Sequence, residues 1–154
     1  MIRIDKSKTA DTRTCDYGKV TKEQLLESSE QHIGDVKQGM EFFAAMLVRA
    51  GYIHDHTKIT EIDMFHSDFK TGFATTNWWE MHKKAERHHL SANGVPEDVN
   101  LIDVIEYIVD GVMAGMARSG KYRKEEIPEG LLEKAFNNTI TLLLENLEVN
   151  KDLG

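Results

Sequence analysis

VNLIDVIEYIVDGVMAGMARSG, residues 99–120, is the stretch whose reading decides the fold. Val99, Leu101, Ile102, Val104, Ile105, Ile108, Val109, Val112 and Met113 make it the densest apolar segment of the chain. Its length and composition predict a helix that starts near residues 97–99, runs to Ser119 and closes on Gly120. Such density places it as the central, most buried helix. Asp110 interrupts it. A carboxylate is costly to bury there unless it is paired or holds a metal. Glu106 and Asp103 precede it on the same face, and neighbouring like charges also call for a cation.

Reading outward, NWWEMHKKAERHHL (77–90) predicts another helix, with Asn77 as N-cap and Glu80 at the capping-box position. It ends before SANGVP. His82 and His89 then share one face, two turns apart, with His88 beside them. A short helix is expected over Thr60–Phe69, and KTGFATT (70–76) is a loop. T-K-E-Q at 21–24 has the capping-box spacing, so a first helix runs from Thr21 to about Ala50, stopped by Gly51. Leu25, Ile33, Val36, Met40, Phe43 and Leu47 form its buried stripe. A last helix covers about Glu129–Leu147. No segment has the period of a strand. The expectation is all-α: a bundle of about five helices over residues 21–150, preceded by a polar arm, residues 1–20.

Composition narrows the function classes. The chain has 154 residues, a formal net charge of −7 and one cysteine, Cys15. That length suits one domain. The acidic balance argues against a nucleic-acid backbone binder, which needs a basic face. A single cysteine allows no internal disulfide and no Cys-rich zinc site, and fits a reducing cytoplasm. No secretory h-region and no run of 18 apolar residues occurs, so no membrane association is expected.

The polar residues with chemistry in them fall in a definite order: His32, then HDHTK at 54–58, His82, His88-His89 and Asp110. Taken singly each has an ordinary explanation, His32 as a hydrogen-bonded core residue and the histidines of 77–90 as a polar helix surface. Together they are imidazoles and carboxylates on separate segments. Helical bundles build metal sites from such side chains on facing helices.

This order resembles the HD-domain superfamily of helical metal-dependent phosphohydrolases. His32 matches the family's first histidine, His54-Asp55 its His-Asp pair, Lys58 the lysine three residues on, and Asp110 its late aspartate, in IVDGVMAG (108–115). His82 with His88 or His89 matches the extension found in two-metal members. WWEMHKKAERHHL with IEYIVDGVMAGMARSGKY also looks like an HD-like family of bacteria and their phages. The resemblance covers roughly residues 30–120. It implies one metal on His32, His54, Asp55 and Asp110, and a second on His82 and His88 or His89, with Asp55 bridging. It further implies metal-activated water as nucleophile, Lys58 neutralising the phosphoryl group and Arg87 gripping one of its oxygens. An unbroken helix would separate His32 from His54 by about 33 Å, so the chain has to reverse between them.

The resemblance implies a small phosphate ester as substrate, a nucleotide first of all, and one or two ions of Mn, Fe, Co, Ni or Zn. Trp78 or Trp79 could stack a base, and Lys6, Lys8 and Arg13 of the arm could close over an anion. The last helix offers a homodimer face. The location implied is the cytoplasm, the host's if the chain is phage-encoded. Two other readings use the same residues: a non-catalytic module that binds a nucleotide or a protein partner, and an HD-type di-iron oxygenase.

Overall fold

Residues 1–6, 17–75, 77–91, 94–122, 124 and 126–150 are described by a computed structural model of the chain. The arm residues Lys8 and Arg13 and the cysteine, Cys15, lie outside them. In chain order the elements are β1 (Ile2–Asp5), α1 (Lys22–Ile53), α2 (Thr57–Thr60), α3 (Ile62–Lys70), α4 (Asn77–Ala85), α5 (Leu101–Ser119), α6 (Leu131–Glu145) and β2 (Leu147–Asn150). The fold is all-α apart from one small parallel ladder. Among the described residues no helix is long and apolar enough to cross a membrane.

Two units are distinguishable. The first comprises Met1–Ala45 and Leu142–Gly154. In it β1 pairs with β2 from Ile2↔Leu147 to Asp5↔Asn150. Neither strand was expected, although Ile2-Arg3-Ile4-Asp5 and Leu147-Glu148-Val149-Asn150 each alternate apolar and polar residues over the shortest run in which that period can be read. The ladder also ends the last helix at Glu145, short of the expected Leu147. The expected capping box at the start of α1 is present: Thr21 N donates to Gln24 Oε1 (3.0 Å) and Gln24 N to Thr21 Oγ1 (3.2 Å).

The second unit, Met46–Thr141, carries the core: Leu90, Val99, Val104, Leu131 and Ala135, with Val95, Leu101, Tyr107 and Ile127 packed against them. Asn100 caps α5. Its side chain accepts from Ile102 N (2.9 Å), and its own N–H donates to Asp103 Oδ2 (2.9 Å). From α6, Thr139 Oγ1 accepts from Leu101 N (2.9 Å), which ties the two helices at this end. Gly120 closes α5 in the left-handed conformation, φ 64°. Phe65 stacks on Trp78 with centroids 4.0 Å apart, and this aromatic pair joins α3 to α4.

Four expectations need correction. Gly51 does not stop α1, which continues to Ile53; the left-handed residue just past its end is Asp55, φ 54°. α1 buries none of its residues, and Leu25, Ile33, Val36 and Met40 of the expected stripe are exposed. α5 buries more residues than any other helix, but only Ile102, Asp103 and Val104, while Ile108 and Met113 of its apolar run stand 53% and 66% exposed. Finally, α4 ends at Ala85, so His88 and His89 lie on the segment that leaves it. His88 and Leu90 are pulled inward there, at 1% and 0% exposure, which a continuous amphipathic helix would not permit.

Candidate metal centre

The end of α1 delivers the first two site residues. His54 follows the last helical residue, and the left-handed turn at Asp55 redirects the chain into α2. Aspartate is among the few residues that tolerate that conformation. Thr57 and Lys58 follow on α2, His82 comes from α4, His88 and His89 from the segment after it, and Glu106 and Asp110 from successive turns of α5.

These side chains form two groups among the described residues: His54, His88 and Asp110, and Asp55, His82 and His89. In each group one donor atom per residue lies within 4.8 Å of the others. Asp55 stands between them, its Oδ1 3.3 Å from His82 Nε2 and 3.5 Å from His88 Nε2, its Oδ2 3.4 Å from His54 Nε2. His54 Nε2 is 3.6 Å from Asp110 Oδ1, and His88 Nε2 is 3.9 Å from Asp110 Oδ2. His89 Nε2 approaches His82 Nε2 to 2.8 Å.

The partners on the far side of the rings decide which nitrogens carry protons. Glu106 Oε1 lies 2.9 Å from His54 Nδ1 and 3.1 Å from His88 Nδ1. A carboxylate only accepts, so His54 holds a proton on Nδ1; His88 Nδ1 lies as close to the same oxygen but is not aligned for a hydrogen bond. Thr57 hydroxyl donates to Glu86 Oε1 (2.8 Å), and Glu86 Oε1 also accepts from Thr57 N (2.9 Å). With its proton so placed, Thr57 Oγ1 accepts from His82 Nδ1 at 2.6 Å. The Nε2 lone pairs of His54 and His82 therefore point at the carboxylates of Asp55 and Asp110 with no proton between. Lone pairs facing carboxylate oxygens repel unless a cation sits among them. Asp55 Oδ1 and both ring nitrogens of His88 are buried and make no hydrogen bond among the described residues. Imidazoles oriented by carboxylates behind them are the usual construction of a metal site. The donor set fits a divalent transition ion.

Titration in the ion-free state reflects the same field. Burial opposes ionisation of Asp55, but the hydrogen bond from His82, once that ring takes up a second proton in the ion's absence, the hydrogen bond and charge of Lys58, and the charge of a protonated His54 hold its pKa well below the usual carboxylate range. Burial works against the charged form of His88, yet Glu106, Asp55 and Asp110 raise its pKa above the ordinary imidazole value. Burial and the adjacent His88 and His82 lower His89 to about 4, so it is a neutral ligand at physiological pH. Burial disfavours the Glu106 carboxylate, but His88 and His54 more than compensate and its pKa falls.

Of the residues singled out from sequence, His54, Asp55, His82, His88, His89 and Asp110 come together. His32 does not: it is exposed on α1, which runs unbroken from Lys22 to Ile53, so the expected reversal of the chain is absent and neither group includes it. Lys58 Nζ pairs with Asp55 Oδ2. Arg87 is turned elsewhere. Its Nε and Nη2 donate to the two oxygens of Asp103 (2.9 Å each), and its Nη1 to Asp98 Oδ1 (3.0 Å). Trp78 is 1% exposed and stacks on His82 with centroids 4.4 Å apart, so it is a wall of the site and not a platform for a base. Three contributors escape a sequence reading of ligands. Glu106 was signalled only by its place one turn before Asp110. Glu86, one of several charges in the segment 77–90 that reads as a polar helix surface, is 8% exposed. Thr57 carried no signal beyond its place in HDHTK.

No protein-family model, curated protein or solved structure matches this chain.

Proposed function

We propose that the chain is a metal-dependent phosphohydrolase of the HD-domain kind, acting on a small phosphate ester. The observation that carries the reading is the convergence of His54, His82, His88, His89 and Asp110 on Asp55, with the Nδ1 atoms of His54 and His82 hydrogen-bonded on the opposite side. His54, His88 and Asp110 would hold one ion, and Asp55, His82 and His89 a second. A divalent ion so held supplies Lewis acidity, lowering the pKa of water at the site from about 15.7 towards about 7. Glu106 and the Thr57–Glu86 pair keep the ligand rings in register. Lys58, paired with Asp55 and about one-third exposed, is placed to transfer its charge to a phosphoryl oxygen as substrate arrives. Buried Trp78 stacked on His82, with half-buried Phe65 stacked on Trp78, excludes water from that side.

The test is elemental analysis of untagged, unchelated protein together with phosphate release from a panel of phosphomonoesters. One or two equivalents of a transition metal are expected, with release abolished by chelation and restored by Mn or Co. No metal after reconstitution would make the histidines structural. Two iron equivalents without phosphate release would favour the oxygenase reading.

A further inference from the structure

A pocket of about 410 Å³ opens directly beside the His54–Asp110 side of the centre. Leu47, Ala50 and Gly51 from α1, and Ile105, Val109 and Met113 from α5, form its walls; the polar lining groups are His54, Glu106 and Asp110. Its size is in the range of small-molecule sites, which are typically apolar with a few convergent polar groups. Here every polar group belongs to the metal centre. His54 and Glu106 are hydrogen-bonded to each other (2.9 Å), and Asp110 faces His54 and His88. No lining side chain outside that set carries a nitrogen or oxygen atom. Among the described residues, the slot has no cation for a second phosphate and, apart from His54, Glu106 and Asp110, no side-chain donor or acceptor to read the edge of a base or the hydroxyls of a sugar.

We infer that this slot seats the organic part of the substrate, and that this part is an uncharged, largely apolar group of at least one ring. The inference rests on the phosphohydrolase reading for its placement beside the reacting centre, but the slot can be tested without turnover. Substrates with apolar ester groups are then favoured over sugar phosphates and over compounds with a second charged group. Selection is by size and apolarity, because nothing in the walls distinguishes one ring from another.

Gly51 gives the means of testing it. A Cβ placed there meets no atom within 4 Å, so a larger side chain enters open space without a clash. Gly51 is inside α1, where leucine is a better helix former than glycine, so Gly51→Leu should fold. Two probes are used, by equilibrium fluorescence titration: 1-naphthalenemethanol, which can fill the slot alone, and 1-naphthylmethylphosphonate, which adds a non-hydrolysable anion. Methylphosphonate is the small reference, read by competition. Each is measured with and without Mn. The alcohol should bind wild type, and Gly51→Leu should weaken both naphthyl probes by about tenfold, the factor for losing one apolar ring face. Gly51→Ala should leave them nearly unchanged, and methylphosphonate should be indifferent to either substitution. The idea is overturned if the alcohol does not bind wild type, or if Gly51→Leu leaves both naphthyl affinities unchanged. It is also overturned if wild type sediments as a dimer that Gly51→Leu dissociates, since the slot would then be filled by a second copy. The metal reading is judged separately, by whether Mn strengthens the phosphonates but not the alcohol.

Discussion

Glu106→Gln removes one charge from the centre and almost no volume. In the wild type a single oxygen, Oε1, faces Nδ1 of both His54 and His88, at 2.9 and 3.1 Å. A glutamine carbonyl can stand in that oxygen's place for both rings, but without the charge that favours protons on their Nδ1 atoms. If the amide nitrogen turns inward instead, it donates, and the ring it faces can no longer keep a proton on Nδ1. That ring then carries the proton on Nε2 and loses the lone pair a metal needs. Losing one such supporting partner costs about 10- to 100-fold in metal affinity, or about 1.4–2.7 kcal/mol. Because Glu106 serves two ligands, the upper end is expected, about 100-fold. The assay is competition for Zn against a fluorescent chelator at neutral pH, with far-UV circular dichroism as a fold control. Glu80→Gln, on an exposed residue that pairs with Lys83, should leave the affinity unchanged. A Glu106→Gln protein that binds Zn within about threefold of wild type, at unchanged stoichiometry, would refute the assignment of ring protons and with it the argument for a cation.

Other expectations follow from the same geometry. Asp55→Asn keeps a residue type that accepts a positive φ but removes the charge between the two groups; metal content by elemental analysis should fall by at least one equivalent while helical content is unchanged. Arg87→Met should lower stability by about 2 kcal/mol in urea titration, less than the 3–5 kcal/mol of a fully buried pair because its side chain is 42% exposed. Its metal content should stay normal, and a metal-free but stable Arg87→Met protein would return Arg87 to the site. In EDTA, thermal stability should be greatest near pH 6.5. His89, lowered to about 4, takes up protons in the unfolded chain first, so stability rises with pH up to the ordinary imidazole value of 6.5. His88 is shifted upward, so its contribution is complete below 6.5 and is lost as pH rises through its folded value. A midpoint temperature in EDTA that still climbs at pH 8 would contradict this balance.

Local chemistry was the legible part of the fold. The Thr21–Gln24 box, the Gly120 close of α5 and the helical period of residues 101–119 are set by neighbours in sequence, and each forms as expected. Burial was not legible in the same way. The apolar run from Ile105 to Met113 says that a helix is amphipathic or apolar, not what covers it, and in this chain much of that face is open. The end of α4 was misjudged because helix propensity continues through Glu86–Leu90; inward packing of His88 and Leu90 overrides it. For the site, ligand residue types could be listed from sequence. Their pairing could not, since Glu106 and His54 are joined across 52 positions and Thr57 and Glu86 across 29. His32 shows the reverse: a residue suited to ligation by type, excluded because α1 does not turn back.

The left-handed backbone at Asp55 has a consequence for how this site tolerates change. Just past a helix end, glycine occupies that conformation without penalty, while a residue with a Cβ is held there at a cost on the order of 1 kcal/mol. Asp55 therefore serves the folded chain less well than glycine would and serves the metal centre in a way glycine cannot. Selection on stability alone would drift this position towards glycine, relaxing the turn, removing a part-buried carboxylate whose Oδ1 is buried and unbonded, and erasing the candidate centre in a single step. At residue 55 the sequence that folds best and the sequence that could hold an ion are different sequences.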